Sequence, residues 1–161
     1  MQLIAWVARG IAVVAIGVSA VCAQAQTPPP YGAPISLDVA KKAAAAAIAE
    51  ARKNGWGMTV AITDGGGVPV YLERLDSSQY ASADGAVKKA QSSAAYRRPT
   101  KVFQDIVAGG QNVFLGLPGA FPLEGGLPIV IDGKLVGAIG VAGGSAQQDG
   151  QVATAGVNAL K

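Results

Sequence analysis

The sequence contains no histidine in its 161 residues and only one cysteine, Cys22. Without imidazole there is no histidine general acid or base, no Ser-His-Asp triad and no histidine-based zinc site. Cys22 falls in the N-terminal leader described below, so the rest of the chain has neither a disulfide nor a thiolate metal ligand. Aromatic residues are scarce, 6% against 50% hydrophobic overall. The core must therefore be built from small side chains and close backbone approach. Such a core buries little apolar area per residue, so self-association into a homo-oligomer is expected to stabilise it. Charge is sparse as well. The net charge is +3, from 13 basic and 10 acidic residues, and no Lys/Arg run exceeds two; this argues against a nucleic-acid partner. The length suits a single domain.

The first 25 residues read as a secretory signal peptide. Arg9 is followed by the apolar run Gly10–Val21 and the small-x-small cleavage site Ala23-Gln24-Ala25, in the order that defines such leaders. The apolar run is shorter than the ~20 residues of a membrane-spanning helix, so cleavage is expected rather than a stable membrane anchor. The expected location is periplasmic or secreted. Loss of Arg9 with the leader lowers the net charge from +3 to +2. Residues 26–34 contain four prolines and are expected to be a disordered linker, which leaves 35–161 as the folded domain.

Within that domain, Ser36 is placed to cap a helix whose apolar stripe is Leu37, Ala40, Ala44, Ala47, Ile48 and Ala51, with Gly55 as its stop. Met58–Thr63 and Val68–Leu75 read as strands joined by the turn Asp64-Gly65-Gly66-Gly67. Tyr80–Tyr96 reads as a second helix ended by Pro99, and Thr100 as the cap of a third, Lys101–Ala108. Gln111–Gly126 is a Gly/Pro-punctuated loop. Leu127–Ile131 and Lys134–Val141, joined by Asp132-Gly133, form a second hairpin. Ser145 and Gln148 form a capping box for the last helix, ending near Leu160, with Asp149 complementing the helix dipole. Hairpins without parallel crossovers predict an α+β fold, an antiparallel sheet with helices packed on it.

Four stretches carry a family resemblance: Ala61–Gly67; Lys89-Ala90 continuing to Arg98-Pro99-Thr100; Leu117-Pro118-Gly119 through Glu124-Gly125-Gly126-Leu127-Pro128-Ile129; and Asp132–Gly144 followed by Gln148-Asp149 and Ala155-Gly156. In this order and spacing they resemble the GlcG/HbpS family over about residues 35–161. The resemblance implies a profilin- or PAS-like antiparallel sheet, oligomeric assembly, and binding of haem or a related tetrapyrrole in haem capture, sensing or turnover. It also marks departures. Ser92 stands where the family often has threonine. Ala120 stands where some haem-binding relatives have a hydroxyl. Asp84 and Val87 occupy the positions of a Glu-x-x-Glu iron motif carried by some relatives.

The cofactor-binding candidates are Lys89, Ser92, Tyr96, Arg98, Leu117, Gly119, Phe121, Glu124, Gly125 and Gly126. Leu117 and Phe121 supply apolar surface, and Gly119, Gly125 and Gly126 conformational freedom. Arg98 or Lys89 is suited to a propionate. Each has an alternative reading: the glycines as turn and packing residues, Arg98 as a favourable charge at a helix end, Lys89 as a solvated lysine. With no histidine, haem iron would take Tyr71, Tyr80, Tyr96, Met58, a lysine, a carboxylate, water or no protein ligand. A rival reading is a small enzyme or accessory protein acting on an organic acid or aromatic compound, with Glu124 and an arginine as site groups.

Overall fold

The structure is a computed structural model and describes residues 27–161; the leader expected over 1–25 lies outside the described residues. The elements are α1 (Leu37–Lys53), β1 (Thr59–Asp64), β2 (Pro69–Arg74), α2 (Ser82–Tyr96), α3 (Lys101–Ala108), a 3-10 turn (Asn112–Gly116), β3 (Gly126–Ile131), β4 (Lys134–Ala142) and α4 (Ala146–Asn158). The four strands form one antiparallel sheet in the order β2-β1-β4-β3. This is the α+β architecture expected. Helices α1 and α4 cover one face and α2 the other.

The two faces are built from different side chains. Alternate residues of a strand point to opposite faces, and β1 and β4 sort them by size. Val60, Ile62, Ile139 and Val141 join Met58, Ile129, Val152 and the alanine stripe of α1 in the main core. On the other face, Ala61, Ala138 and Ala142 meet Ala86, Ala90 and Ala94 of α2. Here α2 lies almost on the sheet backbone. A Cβ on Gly140 would collide with the carbonyl oxygen of Ala86 and sit 2.5 Å from the Ala90 nitrogen. Only glycine permits that approach.

Local chemistry accounts for most boundaries. Ser36 accepts a hydrogen bond from the Val39 amide, and Ser145 with Gln148 forms the expected capping box. Asp132 and Gly133 both have positive φ, 49° and 73°, as a two-residue hairpin turn of the Asp-Gly type requires. Asp64 closes the first hairpin by accepting from the amides of Gly66 and Val68, both at 2.9 Å.

Three expectations are corrected. Leu37 points outward and is exposed, so the α1 stripe begins at Ala40. The end of the expected linker is ordered: Leu135 donates to Pro30 O at 2.8 Å, Gly32 to Leu135 O at 2.7 Å, and Ile35 to Val136 O at 2.9 Å. This ribbon forms a parallel bridge between Tyr31 and Leu135. It pairs with β4 beyond Gly137, where β1 has ended at Asp64 and main-chain groups would otherwise be open. Thr100 makes no side-chain cap bond to α3; its hydroxyl is used in the loop described next.

Candidate functional site

The main chain of the loop between α3 and β3 is held by side chains of α2, α3 and the residue between them. Ser92 Oγ accepts from Phe121 N at 3.0 Å, and the Tyr96 hydroxyl donates to Pro118 O. Thr100 Oγ1 donates to Leu123 O at 2.6 Å and accepts from Gly126 N at 2.9 Å. Gln104 Oε1 accepts from Glu124 N at 2.8 Å. These four residues recur every fourth position along the end of α2 and into α3. Tyr96 also packs edge-on against Phe103, with ring centroids 5.0 Å apart, and the Arg98 guanidinium lies 5.9 Å from the Phe103 ring. The loop is a fixed wall rather than a mobile flap, because each bond removes backbone freedom.

That wall faces the β1–β2 turn across the outer side of α2. Gly66 and Gly67 of the turn, Lys88, Gln91 and Ala95 of α2, and Gly119, Ala120 and Phe121 of the loop line a groove of about 520 Å³. A second groove of about 560 Å³ lies on the other side of the turn, lined by Tyr31, Gly32, Pro34, Asp64, Gly65, Gly66 and Ala95. Gly66 and Ala95 belong to both. Among the described residues, Lys88 brings the one cation of the first groove. Its Nζ is 2.7 Å from Asp84 Oδ2 in an exposed ion pair, a contact of low energy that is readily exchanged for another anion.

The sequence candidates separate into three sets, with Glu124 apart from them. Gly119 and Phe121 line the groove. Ser92 and Tyr96 hold the wall; Leu117 is half-buried within it, and Arg98 is exposed beside Phe103. Lys89, Gly125 and Gly126 sit behind it. Lys89 is 4% exposed and Asp149 2%, and the lysine Nζ donates to Asp149 Oδ2 at 2.6 Å. Asp149 also accepts from Gly144 N at 3.0 Å. Lys89 is thus neither solvated nor open to a ligand, and Asp149 is more than a dipole complement. Burial pushes the Asp149 carboxyl above its ordinary value, opposed by the Lys89 ammonium and the Gly144 amide. Gly125 has φ +123°, and its Cβ position would be 2.6 Å from Val141 O and 3.0 Å from Lys89 Nζ; a Cβ on Gly126 would collide with Lys89 O. Both glycines serve packing. Glu124 is half-buried, with its carboxylate against Gly150 of α4, away from either groove.

The iron-ligand candidates are likewise elsewhere. Met58 is fully buried in the core, the Tyr71 hydroxyl donates to Glu73 at 2.8 Å, and Tyr80 is exposed beneath Arg74. Sequence reasoning missed Lys88, Gln91 and Ala95 as a set. Their i, i+3, i+7 spacing marks one face of α2, opposite the buried Ala86, Ala90 and Ala94.

Residues 27–161 thus form an α+β unit with a groove between a glycine turn, a helix and a pinned loop. Residues 35–158 match the family described as haem degrading protein HbpS-like, and the chain belongs to that family. It is 38% identical over 107 residues to protein GlcG of Escherichia coli K12, covering 66% of this chain and 80% of that protein. Among solved structures, a double mutant of HbpS from Streptomyces reticuli superposes with a TM-score of 0.74 at 31% identity, covering 95% of this chain and 99% of that one. The structure titled PduOC:Heme complex superposes with a TM-score of 0.70 at 26% identity, covering 78% and 94%.

Proposed function

We propose that this protein binds haem or a related tetrapyrrole and serves in haem capture, sensing or turnover. The observation that carries this reading is the groove itself: about 520 Å³, faced with Phe121, Ala120, Ala95 and glycine backbone, with one cationic side chain at its rim. Its size and its mostly apolar lining with few polar anchors are those of a small-molecule site. A flat ring can lie against the glycine turn and Phe121, and Lys88 can accept a propionate. Membership in a family described as haem degrading, and likeness to a protein whose structure is titled as a haem complex, support the same ligand. When bound, haem would supply redox-active iron; the chain's own residues hold the ring and shield one face from water.

The protein is further proposed to be exported through its leader, to act in the periplasm or outside the cell, and to assemble as a homo-oligomer. The organic-acid enzyme reading finds no support in the geometry, since among the described residues neither Glu124 nor an arginine lines either groove. Titration of the purified mature chain with haem, followed by absorbance, tests the proposal. A Soret band that shifts and saturates at one ring per chain is the expected result; a linear rise equal to free haem would refute it.

A further inference from the structure

On the tetrapyrrole reading the groove holds the ring and its acids, but its lining offers the metal no histidine, thiolate or free carboxylate. Among the described residues eight line the groove, and of these only Lys88 and Gln91 have polar side chains. The Gln91 amide already donates to Gly67 O at 3.1 Å, and the Lys88 ammonium sits on Asp84. The neighbouring groove adds Tyr31 and Asp64. The Tyr31 hydroxyl lies 3.2 Å from the carbonyl oxygens of both Ala94 and Ala95, and Asp64 Oδ1 accepts two amides of its own turn. The whole chain lacks histidine, and its one cysteine is Cys22. Among the described residues no group of three or more acidic or thiol side chains is arranged to hold a metal. Iron in haem proteins owes much of its retention to an axial ligand. Here retention must come from stacking, apolar burial and the charge of Lys88.

We infer that the groove recognises the tetrapyrrole macrocycle and its carboxylates irrespective of the central metal, so that metal-free porphyrin dicarboxylates are ligands on the same footing as haem. This rests on the tetrapyrrole reading above and narrows it: the site handles the ring before iron is inserted or after it is removed as well as the iron complex. Lys88 is its anchoring residue. It acts on the propionates, which both forms share.

The test compares haem with metal-free protoporphyrin IX, using porphyrin fluorescence for the second and its displacement by haem for the first, on the mature chain and on Lys88→Gln. Lys88 is exposed, so the variant folds. The inference predicts dissociation constants for the two rings within about threefold of each other, and a loss of about tenfold for both in Lys88→Gln, the worth of one charged hydrogen bond. Haem bound more than about tenfold tighter than the metal-free ring, or a Lys88→Gln loss confined to haem, would mean that iron is ligated; the inference would fall and the tetrapyrrole reading would stand. A metal-free ring bound more than about tenfold tighter than haem would overturn it too. Binding of neither ring would overturn both.

Discussion

The two faces of the sheet hold their helices by different means. On the α1/α4 face, branched side chains such as Ile62, Ile139 and Val141 fill the space between layers. On the α2 face, alanine and glycine leave almost no space, and the helix backbone rests against the strands. The first arrangement tolerates small changes of volume, since neighbours can relax around a lost methyl group. The second does not, because a main-chain atom cannot move aside. The difference bears on function: close contact fixes the height of α2, and with it the positions of Lys88, Gln91 and Ala95 on one side and Ser92 and Tyr96 on the other.

The largest effect is expected at the ion pair that closes the α2 face. Lys89→Met leaves Asp149 buried without its cation and should cost about 3–5 kcal/mol at pH 7, measured by urea unfolding. The pH dependence follows from the direction of the Asp149 shift. A carboxyl whose folded pKa is raised favours the folded state when protonated, and that stability is lost as the pH rises through the folded value. Removing the ammonium raises Asp149 further, so the deficit of Lys89→Met should shrink as the pH falls from 7 toward 4. A deficit that stayed constant over that range would show that the Asp149 charge is not its cause. Changing Asp149→Asn in the same chain should recover part of the loss at pH 7.

The neighbouring positions 139 and 140 of β4 point to opposite faces and give a direct contrast. Gly140→Ala adds one methyl against the Ala86 carbonyl and should cost about 3 kcal/mol. Ile139→Val removes one methyl from the other side and should cost about 1 kcal/mol. Both are read from chemical denaturation midpoints at constant slope. Equal losses would mean that α2 can shift and that the distinction between the faces is not real.

Much of this organisation is legible in the sequence wherever it is local. Asp132-Gly133 specifies its hairpin through two positive φ values, Ser145 and Gln148 cap α4, and the alanine stripe of α1 follows its helical period. What is not legible joins distant segments. Lys89 and Asp149 are 60 residues apart, and nothing near either one says that both are buried. Thr100 looks like a helix cap because it precedes a helix, but the arrival of Gly126 and Leu123 gives its hydroxyl better partners. Gly125-Gly126, which the sequence leaves open between a ligand site and packing, belongs to packing behind the site. The groove needs a turn, a helix face and a loop from three parts of the chain, so its α2 residues look like an ordinary solvated face. A side chain at Gly126 would therefore disturb the fold rather than fill a pocket, since even its Cβ would meet Lys89 O and Thr100.

Whether the ligand lies over the outer face of α2, between the glycine turn and the pinned loop, is decided at Ala95, which borders both grooves and is exposed. Haem titrations of the mature chain and of Ala95→Trp should be run side by side, with circular dichroism and thermal unfolding to show that the folds match. The indole fills the space a ring would occupy, so the expected result is a native spectrum and melting curve with haem affinity lowered by more than about tenfold. Equal saturable binding by both proteins would place the ligand elsewhere and contradict it.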